Sequence, residues 1–205
     1  MKSMDKKLPV IVIPGYLAPK EVMFFIKDYL YEEGFPVYDV DLGWSTDSVP
    51  ELAGKLKKRV DEVLHETGKR KLNLVGVSLG GIVGLYYIKK LGGNKKVKTF
   101  VAVGTPFKGS RLSYLGMVFM PEFSAPLFDI TPESALLKEI QNSTSVKNVN
   151  IVSISSKHDF VAPPENAYLK GAKHIVVDIQ FTPLTHQYLL VSQEIFNNVK
   201  QALLA

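Results

Sequence analysis

The 205-residue sequence predicts one α/β domain spanning residues 1–205, with about six mostly parallel strands flanked by helices and a short apolar insertion after the fourth strand. Two observations predict it. Short apolar runs alternate six times with longer segments of helical periodicity, at lengths that suit strand–helix–strand units. The composition, 46% hydrophobic and 22% charged, is that of a chain able to bury a core, which excludes a disordered tail, a collagen and a coiled coil.

Val10–Ile13 opens as a strand, and Lys20–Glu33 follows with Val22, Phe25, Ile26, Tyr29 and Leu30 at helical spacing before Gly34. Val37–Leu42 is the second strand. Pro50 opens a helix with Leu52, Leu56, Val60, Val63 and Leu64 on one face, and Gly68 ends it. Leu72–Val77 is nearly all apolar, as a strand covered on both faces must be. A Gly-rich helix over Leu79–Leu91 leads to a fourth strand, Val97–Val103. Thr131 caps a helix with Pro132 at its first position, running to about Gln141. Asn150–Ser155 and His174–Ile179 complete the strands, and a last helix runs from about His186 to Leu203.

Charge and cysteine usage narrow the chemistry. The formal charge of +5 comes mainly from lysines, with Arg59, Arg70 and Arg111 the only arginines. Base and phosphate readers favour arginine forks, so the excess reads as a solvated surface and no nucleic-acid partner is expected. Lys89, Lys90, Lys95, Lys96 and Lys98 form the densest basic cluster and would favour transient contact with anionic lipid surfaces. With no cysteine there is no thiolate nucleophile, disulfide or zinc–cysteine site. The run Leu8–Leu17 carries Pro9 and Pro14 and lacks a small-residue cleavage site, so it reads as a strand and not as a signal peptide. A soluble, leaderless, cytoplasmic chain is expected.

Gly76-Val77-Ser78-Leu79-Gly80-Gly81 lies between the third strand and the Gly-rich helix. G-x-S-x-G in that context makes a sharp turn that lifts a serine hydroxyl above the sheet, with a helix N-terminus behind it. Gly76 and Gly80 let the two arms approach closely. The spacing lacks the lysine of a phosphate-binding loop. Ser78 is therefore the candidate nucleophile, and it needs a base. Among four histidines, His65 sits on an amphipathic helix, His158 directly precedes Asp159, and His174 opens a strand. His186 follows the last strand, in a loop at the carboxyl end of the sheet, where such sites form. The acid expected between them in chain order is Asp159, just beyond the fifth strand; Asp129, in the insertion, and Asp178, in the sixth strand, are poorer placed.

These motifs, with Pro9–Tyr16, Gly104–Ser110, and Leu189, Leu190 and Ser192 beside His186, make nearly the whole chain resemble a small bacterial-type lipase or esterase of the α/β-hydrolase superfamily. The resemblance implies Ser78 as nucleophile, His186 as base and Asp159 as its partner. It also implies an oxyanion hole from the backbone N–H groups of Tyr16 and Leu79. Such lipases usually carry His-Gly after the first strand, where this chain has Pro14-Gly15, and Phe107 stands where a histidine is common.

The function expected is cleavage of carboxylic esters with hydrophobic acyl chains through an acyl-enzyme, with no metal and no cofactor. A thioesterase or acyltransferase would use the same three residues, and a non-catalytic binding protein on this fold would lack one of them. Residues 105–130 are the candidate cap or acyl-binding insertion; from Leu112 to Phe128 the only charge is Glu122. Leu17, Phe119, Val161 and Gln187 are the candidate substrate-binding residues.

Overall fold

A computed structural model describes residues 7–18, 20–142, 146 and 148–205; the charged start, residues 1–6, lies outside these. Six strands form a single parallel sheet: β1 (Val10–Ile13), β2 (Val37–Asp39), β3 (Leu72–Val77), β4 (Val97–Val103), β5 (Asn150–Ser156) and β6 (Lys173–Val177). Their order is β2-β1-β3-β4-β5-β6. From β1 the chain moves outward to β2, then returns across β1 to add β3 on its other side. That reversal opens a crevice at the carboxyl ends of β1 and β3, the place where parallel sheets hold ligands.

Side-chain alternation divides the strands between two cores. Val10, Val12, Val75, Val77, Val101 and Val103 face α1 (Phe24–Glu32) and α8 (Gln193–Leu204), against Ile26, Leu30, Phe196 and Val199. Ile11, Ile13, Leu72, Leu74 and Phe100 face the other way. They meet α2 (Val49–Thr67), α3 (Leu79–Lys90) and α6 (Ala135–Asn142) through Leu52, Leu56, Ile82, Leu85 and Ile140. All six β3 residues are buried, as its nearly all-apolar run predicts. Each of its leucine and valine side chains contributes about 1.5–3 kcal/mol by leaving water. Among the described residues, no helix is long and apolar enough to cross a membrane.

Local chemistry sets the ends of the elements. Ser48 and Glu51 form a capping box, so α2 starts at Val49, one residue before Pro50, and Gly68 closes it at φ 64°. The first helix begins as a 3-10 turn over Lys20–Met23. Four expectations need correction. β2 stops at Asp39 and not at Leu42, and β6 at Val177 and not at Ile179. α6 starts at Ala135, because Ser134 and not Thr131 caps it: the Leu137 amide donates to Ser134 Oγ, while the Thr131 hydroxyl donates back to the Phe128 carbonyl. The last helix is two pieces, a single turn α7 (Thr185–Tyr188) and α8. Ser192 takes an extended backbone between them and caps α8, accepting the Ile195 amide.

The insertion also folds. It holds α4 (Leu112–Phe119), a 3-10 turn over Pro121–Phe123 and α5 (Ala125–Asp129). Its neck is closed by the Ser110 amide donating to the Ile130 carbonyl at 2.9 Å. Asp129 anchors it to the body of the fold, accepting the Val49 amide at 2.7 Å at the start of α2.

Candidate active site

Ser78 sits between β3 and α3 with φ 52° and ψ −120°, a backbone conformation that costs a non-glycine residue about 1–3 kcal/mol. The surroundings impose it. The Ser78 amide donates to the Val103 carbonyl at 2.8 Å, and the Gly81 amide returns to the Ser78 carbonyl at 3.0 Å. A Cβ on Gly76 would lie 2.6 Å from the Gly80 carbonyl oxygen, and one on Gly80 would lie 2.5 Å from that of Pro14. Backbone thus presses on backbone on both sides of the serine, and neither contact leaves space for a side chain.

His186 reaches the serine from α7, beyond β6. Its Nδ1 lies 2.8 Å from Asp159 Oδ2 and its Nε2 lies 3.0 Å from Ser78 Oγ. A carboxylate only accepts, so Nδ1 carries the ring proton of the neutral imidazole and Nε2 is free to accept from the serine hydroxyl. Asp159, 1% exposed, turns its other oxygen to the Val161 and Ala162 amides at 2.8 and 3.1 Å. Those bonds fix the carboxylate plane, and the carboxylate fixes the ring.

Two braces hold the loops that carry the pair. Ser156 Oγ donates to the Ile179 carbonyl at 2.6 Å and joins the end of β5 to the segment after β6. The Phe181 amide donates to Thr185 Oγ1 at 2.9 Å, and Phe181 stacks on Tyr188.

The three chain-distant candidates therefore meet; His65 stands exposed on α2, and His158, His174, Asp178 and Asp129 are engaged elsewhere. His158 Nε2 pairs with Asp178 at 2.9 Å, and His174 bonds the Leu169 carbonyl and stacks on Tyr168. Asp178 lies just past β6 and also pairs with Lys157. Asp129 accepts the Val49 amide at the start of α2, and burial raises its carboxyl pKa. Of the basic cluster, Lys90 pairs with Glu139, Lys96 with Asp61, and Lys89 donates to the Ile140 carbonyl. That cluster lies where α3 ends and β4 begins, at the opposite end of the sheet from Ser78.

A cavity of about 380 Å³ opens beside Ser78 and His186. Leu17, Val161 and Gln187 line it. Leu17 does so from a strained turn, φ 51°. Phe119 does not line it: at the end of α4 it is 77% exposed. The insertion supplies Leu112, Gly116, Leu127 and Ile130 instead. Phe119 shares the helix face of Leu112 and Gly116 by its spacing, but it is the last residue of α4, about two turns from Leu112, and the lining stops at Gly116. Phe107, in the place of the common histidine, is fully buried in the core.

Tyr16, in the turn after β1, lines the cavity, and Leu79 follows the serine at the first position of α3, where an amide has no intrahelical acceptor. The Cβ that Gly15 lacks would lie 3.2 Å from Ser78 Cβ, so the residue after Pro14 brings this turn close to the serine. The Tyr16 hydroxyl donates to the Phe123 carbonyl at 2.9 Å, and burial raises its pKa. Sequence reading gave Gly104 no role. At φ 56°, its missing Cβ would stand 3.2 Å from His186 Cε1 and 3.0 Å from Leu189, so it makes room for the imidazole. The signal was present as a glycine directly after a buried strand.

Comparison with known proteins agrees with this architecture. Residues 9–124 match the family model described as the alpha/beta hydrolase fold. Two triacylglycerol lipases, from Pseudarthrobacter phenanthrenivorans and Burkholderia plantarii, are each 32% identical over 116 residues, or 52% of this chain. The match spans about a third of those relatives, 35% and 32% of their lengths. Among solved structures, the mature lipase BlEst2 of Bacillus licheniformis superposes with a TM-score of 0.83 at 15% identity, covering 96% of this chain and 92% of that one. The esterase of Exiguobacterium antarcticum gives 0.67 at 16%, covering 97% and 92%. At such identities these structures bear on the fold alone. With the family model matching more than half of its 205 residues, the chain belongs to the α/β-hydrolase family.

Proposed function

We propose that the protein hydrolyses carboxylic esters with hydrophobic acyl chains, lipid esters among them, through an acyl-enzyme on Ser78. The observation that carries this reading is the hydrogen-bonded series Ser78 Oγ, His186 Nε2, His186 Nδ1 and Asp159 Oδ2 at the mouth of an apolar cavity. The lipase names of the relatives point the same way.

In this scheme His186 Nε2 takes the hydroxyl proton as Ser78 attacks the ester carbonyl, then returns it to the leaving alcohol. Asp159 holds the tautomer and stabilises the imidazolium that forms. The Tyr16 and Leu79 amides receive the oxyanion, each worth about 3 kcal/mol when aimed at it. Water, activated by the same imidazole, then cleaves the acyl-enzyme. The strained Ser78 backbone supplies orientation in advance, so little rearrangement accompanies attack. Leu112, Leu127 and Ile130 would hold the acyl chain, which makes the insertion the element that sets chain-length preference.

The test is hydrolysis of p-nitrophenyl esters of graded acyl length by the wild type and Ser78→Ala. The reading expects a folded variant that has lost at least about 10³-fold in turnover. Near-normal turnover by Ser78→Ala would end it.

A further inference from the structure

Four buried side-chain oxygens among the described residues have no hydrogen-bond partner: those of Ser45, Tyr87, Thr99 and Ser110. Of the four residues only Ser110 lines the cavity beside Ser78, and its Oγ, itself out of solvent's reach, must turn to face it. Natural proteins rarely leave a buried hydroxyl orphaned, and a bound water or ligand is one of the partners that explains such a group. The rest of Ser110 is fully engaged. Its amide donates to Ile130, and its carbonyl accepts the Ser113 hydroxyl at 2.7 Å. Ser113, the neighbouring hydroxyl of the cavity wall, is thereby satisfied, and the Ser110 hydroxyl is left over. Its backbone cannot move to find a partner, because it forms the neck of the insertion. The hydroxyl itself can, since a serine side chain swings among staggered positions at small cost.

We propose that Ser110 Oγ is a specificity group for the ester substrate, hydrogen-bonding an oxygen carried on an otherwise apolar acyl chain. The substrate class is then an oxygenated acyl ester, hydroxylated or ketonic. Beside Ser110 the insertion lines the cavity with Leu112, Gly116, Leu127 and Ile130 and with the Ser113 hydroxyl, whose proton is already given to the Ser110 carbonyl, so an oxygen that must accept a hydrogen bond there finds its donor in Ser110 or loses its hydration unrewarded. That penalty makes one hydroxyl discriminating. The proposal rests on the reading of Ser78 as the nucleophile.

The experiment compares kcat/KM for p-nitrophenyl octanoate and for its monohydroxylated counterparts, with the hydroxyl moved carbon by carbon, on the wild type, Ser110→Ala and Ser110→Thr. For at least one hydroxyl position the ratio of hydroxylated to plain ester is expected to be about tenfold higher in the wild type than in Ser110→Ala. Ser110→Thr should keep that ratio. Ser110→Ala should melt no lower than the wild type, since the serine hydroxyl bonds nothing among the described residues. Equal ratios in wild type and Ser110→Ala across the series, with octanoate still cleaved, would overturn this proposal and leave the nucleophile standing. A lower melting temperature for Ser110→Ala would also overturn it, by assigning the hydroxyl a structural partner. If the wild type cleaved no ester at all, the reading of Ser78 would fall with it.

Discussion

The turn at Ser78 and the insertion from Ser110 to Ile130 border the same cavity, yet they are built in opposite ways. Around Ser78 the contacts are backbone on backbone: Gly76 against Gly80, and Gly80 against the carbonyls of Ile13 and Pro14. Within the insertion, a Cβ on Gly116 would meet the tip of the Leu127 side chain at 2.6 Å, a group free to change rotamer. Of the eight α4 residues only Ser113 is buried, whereas Leu115, Val118 and Phe119 stand in solvent. One region fixes a reacting atom and tolerates no change. The other shapes a wall through side chains that can shift. Chemistry and selectivity are thus assigned to parts of different stiffness.

The largest effects should fall on the stiff region. Asp159→Asn is expected to lower ester turnover by about 10³-fold or more, because an amide can present its NH₂ to Nδ1 and favour the wrong imidazole tautomer. Turnover within tenfold of wild type would remove Asp159 from the mechanism. Next, Gly80→Ala should cost about 3 kcal/mol or more of stability in denaturant melts, since its methyl meets carbonyls that cannot yield. Gly116→Ala should cost less than about 1 kcal/mol, because Leu127 can yield. Equal costs for the two would erase the contrast.

The flexible region should answer in selectivity. Gly116→Val fills the cavity wall and is expected to shift the preferred acyl chain shorter, with the shortest ester cleaved within about twofold of wild type. An unchanged chain-length profile would take the insertion out of the acyl site.

The smallest expected effect concerns the anchor of that insertion. Burial holds the Asp129 carboxyl above its ordinary value of 3.8. A group whose folded pKa is raised contributes stability below its unfolded pKa, and that contribution is lost as pH rises through the folded value. Asp129→Asn keeps an oxygen for the Val49 amide and loses the titration. Its melting temperature relative to wild type should therefore rise as pH climbs out of the acid range. A pH-independent difference would show that Asp129 does not titrate as described.

The two regions also differed in how far the sequence disclosed them. The Ser78 turn is encoded locally, by glycines in fixed register between a buried strand and a helix, so the residues alone mark it. Asp159 and His186 are legible through their loops at the carboxyl ends of strands. Gly104 is marked only as a glycine directly after a buried strand; its part, leaving space for a ring more than eighty residues later, is not written locally. Composition marks the insertion as apolar, but which side chains reach the cavity depends on where α4 ends relative to it and on the Gly116–Leu127 contact. Phe119 has the right helical spacing but sits past the end of the lining. The break at Ser192 is not legible because the apolar spacing runs on across it, while the cap that starts α8 is a single hydroxyl.

The most direct measurement is covalent labelling with an alkyl fluorophosphonate, read by peptide mass. The account predicts one adduct per chain, on Ser78, formed at least about a hundredfold more slowly in His186→Ala. An adduct at another residue, or labelling at an equal rate without the imidazole, would contradict it.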